Sequence, residues 1–156
     1  MEPILNLMLK HGADINLLDN NGKSILYVFC ESEKVNMKLV QILLEKGATD
    51  YQGALQGHCK SASLQFEILK LLVELKCDLN AKDYNGESAF HYLLANPKIT
   101  PEILSYFLDK KADPHFKSRR DDKPIEILSS NESVTLQLVL SPFLFHFCFH
   151  SFLFLS

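Results

Sequence analysis

The sequence predicts an all-α fold in which short helical hairpins repeat along the chain and stack into a solenoid. Three observations favour this prediction: a helix-ending motif recurs four times, a turn leading into a helix recurs between its copies, and nearly constant intervals separate the two. Each such repeat buries its apolar face against its neighbours, so one continuous core is expected. With 156 residues, of which 47% are hydrophobic, the chain can build that core.

The first motif ends a helix with two apolar residues and a turn. Its four copies lie at residues 8–16, 43–49, 72–80 and 107–113. Gly12 and Gly47 stand where a helix C-terminus needs a left-handed backbone, which glycine adopts without steric penalty. Lys76 and Lys111 stand at the same position in the other copies, so backbone strain is expected there.

The second motif is a polar turn that leads into the next helix. It lies at residues 19–27 and 83–91, and more loosely at 118–126. Ser24 and Ser88 are candidate helix N-caps, because a serine hydroxyl accepts a hydrogen bond from an amide of the first turn. The repeating unit is therefore predicted to be turn, helix, loop, helix.

The intervals between the motifs are constant with one interruption. Leu26 and Gly47 lie 21 positions apart in the sequence. The same interval separates Leu55 from Lys76 and Phe90 from Lys111. The return from one unit to the next takes 14 residues in three cases but only 8 between Gly47 and Leu55. One connection is thus six residues shorter, and we expect a missing hairpin finger near residues 51–52.

Within the units, apolar residues follow helical periodicity, at i, i+3 and i+4. The clearest examples are Leu39, Ile42 and Leu43, and Phe66, Leu69, Leu72 and Val73. Residues 4–10 form a second helix without its first, so residues 1–140 are predicted to hold a half unit, three complete units and a short last unit. Because that half unit lacks the polar face of a terminal repeat, we expect the chain to be part of a longer array.

These motifs resemble those of the ankyrin repeat family. The matching residues are Asp19, Gly22, Ser24 and Leu26; Asp83, Gly86, Ser88, Phe90 and His91; and Lys123, Pro124 and Ile125. Tyr27, Gln56 and Glu126 stand where the family usually has histidine. The resemblance covers residues 3–140. It implies an ankyrin-type helical solenoid with short β-hairpin or turn fingers, a structural role for His91, and a non-catalytic function in protein binding.

Composition argues against several classes of protein. The net charge is −3, and its 16 basic and 19 acidic residues are interspersed, so nucleic acid is not an expected partner. The cysteines lie far apart without a CxxC pair, which fits neither a disulfide scaffold nor a zinc module; they are Cys30, Cys59, Cys77 and Cys148. No secretory signal is evident. A cytoplasmic location is therefore expected, with the nucleus as the alternative.

No motif for nucleotide binding, acyl transfer or metalloprotease chemistry occurs, so no catalytic residue, cofactor or metal site is predicted. His58 and Cys59 are adjacent, but neighbouring residues on a helix do not face each other, and Cys59 is expected in the core. His146, Cys148 and His150 share one face of an extended strand, yet a fourth zinc ligand is missing.

The predicted function is binding of a protein partner through the finger tips and the concave helix face. Candidate contact residues at the tips and on the first helix of the third complete unit are Asn20, Asn21, Lys82, Tyr84, Asn85, Tyr92, Arg119 and Arg120. Tyr84, Arg119 and Arg120 are the first choices, because tyrosine and arginine are enriched at binding hot spots. The sequence does not identify the partner.

Residues 141–156 leave the repeat pattern and are rich in phenylalanine. One alternative is a membrane-associated ankyrin scaffold anchored by the apolar stretch 136–155, since a spanning helix needs about 20 apolar residues. Pro142 and two histidines argue against it. A second interpretation is an aggregation-prone strand. We favour the third, translated non-coding sequence, because the residue types present all have pyrimidine-rich codons.

Overall fold

A computed structural model describes residues 2–131, which contain eight α-helices. They are α1 (Glu2–Lys10), α2 (Ile25–Glu31), α3 (Met37–Glu45), α4 (Tyr51–Lys60), α5 (Phe66–Glu74), α6 (Ala89–Ala95), α7 (Pro101–Asp109) and α8 (Pro124–Ser130). The predicted half unit is α1, the complete units are the pairs α2/α3, α4/α5 and α6/α7, and α8 starts the last unit. The predicted boundary at residue 140 and the tail 141–156 lie outside the described residues.

The helices pack in two layers. Helices α2, α4, α6 and α8 contact one another in order as an inner layer, and α3 contacts α5 in an outer layer. Phe66 of α5 meets Tyr106 of α7 edge to face, with ring centroids 5.4 Å apart, so the outer layer continues to α7. Within residues 2–131 the only β-pairing is one antiparallel bridge between Leu18 and Ser24. The predicted all-α solenoid is confirmed.

The core is continuous because each inner helix places an apolar anchor at the same position of its repeat. These anchors, Leu26, Leu55 and Phe90, are at most 1% exposed. Phe90 stacks on Phe107 of the paired outer helix, with ring centroids 6.1 Å apart. Full burial of one such side chain contributes about 1.5–3 kcal/mol, so the repeated anchors supply much of the stability of the stack.

Short polar side chains fix where four helices begin. Each accepts a hydrogen bond from an amide of the first helical turn, which otherwise has no partner. The caps are Ser24 for α2, Asn36 for α3, Asp50 for α4 and Thr100 for α7. Pro101 occupies the start of α7, where its missing amide hydrogen is not needed. The predicted capping role of Ser24 is confirmed.

The turns that end the outer helices adopt the left-handed backbone that the sequence predicted. Gly12 and Gly47 have φ angles of 85° and 92°. Lys76 and Lys111 have φ angles of 64° and 67° at the equivalent position. Because a side chain in this region clashes with the following carbonyl, each lysine stores strain of about 1 kcal/mol.

Replacing Lys76 or Lys111 by glycine is expected to raise the free energy of unfolding by about 0.5–1 kcal/mol, because the clash is removed at a smaller cost in chain entropy. Urea-induced unfolding followed by circular dichroism measures the change. Lys46→Gly is the matched control, since Lys46 has an ordinary φ of −83° and should lose stability as glycine. Equal effects in the test and control variants would contradict the explanation.

One finger is absent, as the short connection predicted. Residues 11–24, 75–88 and 110–123 connect successive repeats elsewhere, whereas residues 46–50 suffice between α3 and α4. Asp50 ends this connection: its carboxylate accepts hydrogen bonds from the amide of Gly53 at 2.9 Å and from the hydroxyl of Ser24 at 2.6 Å. The start of α4 is thereby tied directly to the start of α2.

A glutamine replaces the link that a finger segment provides elsewhere. In the first and third connections an asparagine amide, that of Asn16 or Asn80, pairs with the backbone of the next repeat. In the short connection Gln52 does so from within α4. Its Nε2 donates to the carbonyl of Asp78 and its Oε1 accepts from the amide of Asp78, both at 2.9 Å. The hydrogen-bonded contact between repeats is therefore retained without the finger.

Buried or half-buried polar side chains also join each inner helix to the preceding repeat. Each donates to backbone carbonyls at the end of the neighbouring inner helix, which have no partner within that helix. The pairs are His58 Nδ1 with Cys30 at 2.9 Å, Asn96 Nδ2 with Cys59 and Ser61 at 2.9 Å each, and Asn131 Nδ2 with Leu94 at 3.1 Å. The stack is thus joined by polar contacts as well as by its apolar core.

Candidate binding groove

Three fingers project beyond the inner helices: finger 1 (residues 19–23), finger 2 (83–87) and finger 3 (118–122). In each, the amide of the first residue donates to the carbonyl of the last at 2.9 Å. The first side chain then accepts from amides at the tip; Asp83, for example, binds those of Asn85 at 2.8 Å and Glu87 at 3.0 Å. The tips are held in place by these bonds before any partner binds.

Fingers 2 and 3 and the inner helices α6 and α8 enclose a groove of about 600 Å³. Its lining comprises Tyr84, Asn85, Glu87, His91, Tyr92, Ala95, Arg119, Arg120, Asp122 and Ile127. Five of the eight residues predicted as partner contacts from the sequence lie in this lining; they are Tyr84, Asn85, Tyr92, Arg119 and Arg120. The structure thus brings the first-choice residues together around one concavity.

The other three predicted contact residues lie elsewhere. Asn21 lines a smaller cleft of about 240 Å³ between fingers 1 and 2, where the missing finger would stand. Asn20 is exposed at the tip of finger 1. Lys82 is exposed with its ammonium 4.8 Å from the ring centroid of Phe116. The predicted set therefore divides between two concavities and an outer surface, and its role in binding stays a prediction.

Two cations of finger 3 make no ion pair with any other residue between 2 and 131. Lys117 pairs with Asp121 at 2.8 Å, and Lys123 pairs with Glu126 at 3.2 Å. Arg119 and Arg120 are exposed, and among residues 2–131 neither guanidinium makes an ion pair. Both are therefore available to a partner.

Sequence reasoning missed a cluster centred on Lys60, the last residue of α4. Its ammonium lies 3.1 Å from the hydroxyl of Tyr27, 3.8 Å from the carboxylate of Asp83 and 3.8 Å from the ring centroid of Tyr92. The Tyr92 hydroxyl donates to Asp83 at 2.5 Å. Because these residues come from three repeats, no spacing rule links them, and the only signal was Tyr27 in place of the family's histidine.

The Lys60 cluster fixes one wall of the groove. Burial alone would lower the pKa of the Lys60 ammonium, but its hydrogen bond to Tyr27 and its electrostatic interactions with the phenolic oxygens of Tyr27 and Tyr92 outweigh burial and raise that pKa. Burial also raises the pKa of Tyr92, and its hydrogen bond to Asp83 acts in the same direction. Lys60 is thus a cation, and Tyr92 a neutral phenol with its ring and hydroxyl held in one orientation.

His58 and His91 are buried and hydrogen-bonded to backbone groups. His58 Nε2 accepts from the amide of Gln65 at 3.0 Å, and burial lowers the pKa of this imidazole. His91 Nδ1 accepts from the amide of Ser88 at 3.1 Å, while Nε2 donates to the carbonyl of Asp122 in finger 3 at 3.2 Å. His91 therefore joins the start of α6 to the next finger, which is the structural role that the resemblance implied.

The cysteines of the described part are free thiols. Cys59 is completely buried, and burial raises its pKa, so it is the core residue that the sequence predicted. Burial raises the pKa of Cys30 to about 12 and that of Cys77 to about 11. Neutral buried thiols are poor nucleophiles and poor metal ligands, because both roles require the thiolate.

The part of the chain that the structure describes contains neither a metal-binding cluster nor a helix able to span a membrane. Between residues 2 and 131, no group of three or more histidine, cysteine or acidic side chains is placed to hold a metal ion. None of the helices described there has the length and apolar character that spanning a bilayer requires. The candidate anchor at 136–155 and the histidines and cysteine at 146–150 lie outside these residues.

Comparison with known proteins places this geometry in a family. The chain is similar to "Ankyrin repeat protein OPG189" of Variola virus, with 22% identity over 91 residues, covering 56% of the chain and 16% of that protein. It is similar to "BTB/POZ domain and ankyrin repeat-containing protein NH5.2" of Oryza sativa subsp. japonica, with 28% identity over 100 residues, covering 63% of the chain and 20% of that protein.

An L-asparaginase of Dirofilaria immitis is 25% identical over 171 residues, covering 86% of the chain and 28% of that protein. The chain thus spans less than a third of the length of each of these relatives, and the name of the whole enzyme assigns no reaction to it. The family model described as ankyrin repeats (3 copies) matches residues 1–83, just over half of the chain. The same helix pairing and left-handed turn continue beyond residue 83, and the backbone amide of Asp113 donates to the side chain of Asn80 in the same asparagine link. The chain belongs to the ankyrin repeat family.

Proposed function

We propose that this chain is a non-catalytic binding module that holds a segment of a partner protein in the groove between fingers 2 and 3. Ankyrin repeats are generally protein–protein interaction modules. The observation that carries the assignment to this groove is the convergence of Tyr84, Tyr92, Arg119 and Arg120 on one concavity of about 600 Å³. Free buried thiols are compatible with a reducing compartment, and the location we propose for the module is the cytoplasm or nucleus.

The groove has the composition of a protein-binding surface. Tyr84 is 68% exposed, and its ring offers a large contact area with little conformational entropy to lose. Ala95 and Ile127 add apolar surface to the floor, and the unpaired arginines stand at the rim. A polar rim around an apolar centre is typical of protein interfaces.

Preorganisation supports the same proposal. The finger tips are closed by backbone hydrogen bonds, and His91 ties finger 3 to α6. Tyr92 is fixed by Asp83 and Lys60. Groups that are already ordered lose little entropy on binding, so more of the interaction energy appears as affinity.

The test is affinity capture from cell extract with the full chain, compared with the triple variant Tyr84→Ala, Arg119→Gln, Arg120→Gln. We expect the variant to lose a partner that the parent retains, because the loss of these three contacts should weaken the affinity at least about tenfold. Quantitative mass spectrometry of the retained proteins and titration of the purified partner measure the effect.

The matched control is the double variant Lys38→Gln, Lys46→Gln, which removes two exposed cations from the outer helix α3 and its end. It should retain the partner as the parent does, and thermal unfolding must show that all three proteins are folded. Retention of the same partner by the folded triple variant would show that the groove is not the binding site.

A further inference from the structure

The charged groups of the groove are arranged unevenly. The anions Glu87 and Asp122 are the closing residues of fingers 2 and 3 and lie at the base of the fingers. The cations Arg119 and Arg120 lie within finger 3 towards its tip, while the finger 2 tip opposite, Tyr84 and Asn85, is uncharged. The mouth of the groove therefore carries two positive charges, although the groove as a whole is neutral.

The other acidic side chains near the groove do not pair with the two arginines at its mouth. Asp121 pairs with Lys117 at 2.8 Å, and Asp83 is held by Tyr92 and Lys60. Glu87 is largely buried, with its carboxylate 3.8 Å from the ring of His91. The two arginines thus face solvent without a nearby carboxylate that pairs with them among the described residues.

Arg119 is also positioned by packing. Gly86 in finger 2 has a φ of 79°, and a Cβ built there would lie 2.7 Å from the backbone nitrogen of Arg119 and would collide with its side-chain stem. The absence of a side chain at Gly86 lets the stem of Arg119 lie against finger 2. Arg119 and Tyr84 line the same groove.

We propose that the segment bound in this groove is acidic: a partner peptide whose neighbouring carboxylates pair with Arg119 and Arg120 while an apolar side chain packs on Tyr84 and Tyr92. This inference rests on the proposed function and names the chemistry of its partner. A guanidinium binds a carboxylate through two parallel hydrogen bonds, which makes arginine specific for planar anions. The aromatic rings between the fingers supply the apolar part of the contact.

Nucleic acid is a poorer fit to the same surface. Glu87 and Asp122 at the base would repel a phosphate chain entering the groove, and the net charge of the chain is −3. A short peptide needs only two anions at the mouth and apolar contact at the floor. The observations therefore favour an acidic protein segment.

Calorimetric titration of the full chain tests the proposal with a peptide in which pairs of glutamates flank a leucine. Two comparison peptides carry lysines or phosphoserines in place of the glutamates. We expect the glutamate peptide to bind, its affinity to fall with added salt, and the lysine peptide not to bind. The double variant Arg119→Gln, Arg120→Gln, which keeps most of each side-chain stem, should bind at least about tenfold more weakly.

Arg119→Lys, Arg120→Lys should bind with intermediate affinity, because it keeps the charges but loses the paired hydrogen bonds. The Lys38→Gln, Lys46→Gln variant has the same net charge as the double glutamine variant and should bind as the parent does. Equal weakening in that control or binding of the lysine peptide would overturn the proposal that the segment is acidic. Tighter binding of the phosphoserine peptide would overturn carboxylates as the groups that Arg119 and Arg120 recognise.

Failure of this proposal is distinguishable from failure of the proposed function. If a captured partner depends on Tyr84 but is unaffected by Arg119→Gln, Arg120→Gln, the groove binds protein and the acidic chemistry is wrong. If neither change affects any partner, both proposals fall.

Discussion

Replacing His58 by alanine is expected to lower the free energy of unfolding by about 3–5 kcal/mol. The ring is 0% exposed, so its loss leaves a cavity in the contact between α2 and α4. It also leaves the carbonyl of Cys30 and the amide of Gln65 without their partner. Urea-induced unfolding, followed by circular dichroism, measures the difference from the parent.

The same substitution should change how stability depends on pH. Burial lowers the pKa of His58 below its usual 6.5. Below pH 6.5 the imidazole is therefore protonated in the unfolded chain but not yet in the folded chain. Stability therefore falls as the pH drops, by up to about 1.4 kcal/mol per pH unit for this one group. His58→Ala should lack this contribution between pH 7 and the lowered folded-state pKa.

His115→Ala is the control, because His115 is exposed and its removal should change stability by less than about 0.5 kcal/mol. A loss in His58→Ala no larger than in this control would mean that the ring does not hold the repeats together. An unchanged acid slope in His58→Ala would assign the pH dependence to other groups.

Replacing Asn96 by alanine is expected to lower the free energy of unfolding by about 2–3 kcal/mol. Asn96 is 5% exposed, and its amide donates to the carbonyls of Cys59 and Ser61 at 2.9 Å each. Both acceptors lie at the buried end of α4, where water does not replace the lost donor. Denaturant unfolding of the full chain at pH 7 gives the change.

Asn20→Ala provides the comparison for that experiment, since Asn20 is exposed at a finger tip and its loss should have little effect. Hydrogen exchange adds a local readout: amides of residues 59–65 should lose protection in Asn96→Ala before the rest of the stack does. Uniform loss of protection, or stability equal to that of Asn20→Ala, would contradict the role assigned to Asn96.

The elements that could be predicted from sequence are those governed by local rules. Helix pairs, the anchors Leu26, Leu55 and Phe90, and the short connection after Gly47 all follow from spacing and periodicity along the chain. The strained turns at Lys76 and Lys111 follow from the position that glycine occupies in the other copies. Each of these features depends on a residue and its near neighbours in sequence.

The features that escaped prediction depend on contacts between repeats. Gln52, His58 and Asn96 form hydrogen bonds with backbone groups of a neighbouring repeat, 26 to 37 positions away in the sequence. No periodic pattern marks these residues. The Lys60 cluster needs the three-dimensional curvature that brings Tyr27 near finger 2. The predicted contact residues divided between two concavities for the same reason, since sequence position shows which residues lie at finger tips but not which tips face each other.

Gln52 has a consequence for how this array can be altered. Its two hydrogen bonds to Asp78 show that adjacent repeats stay joined when the connecting loop shrinks to residues 46–50. In this molecule the connecting loop can therefore change in length while the helices keep the same stacking. A foreign recognition loop inserted in the short connection would stand between fingers 1 and 2, in a space that the parent scaffold leaves open. The buried residues Leu43 and Leu55 on either side would remain in the core.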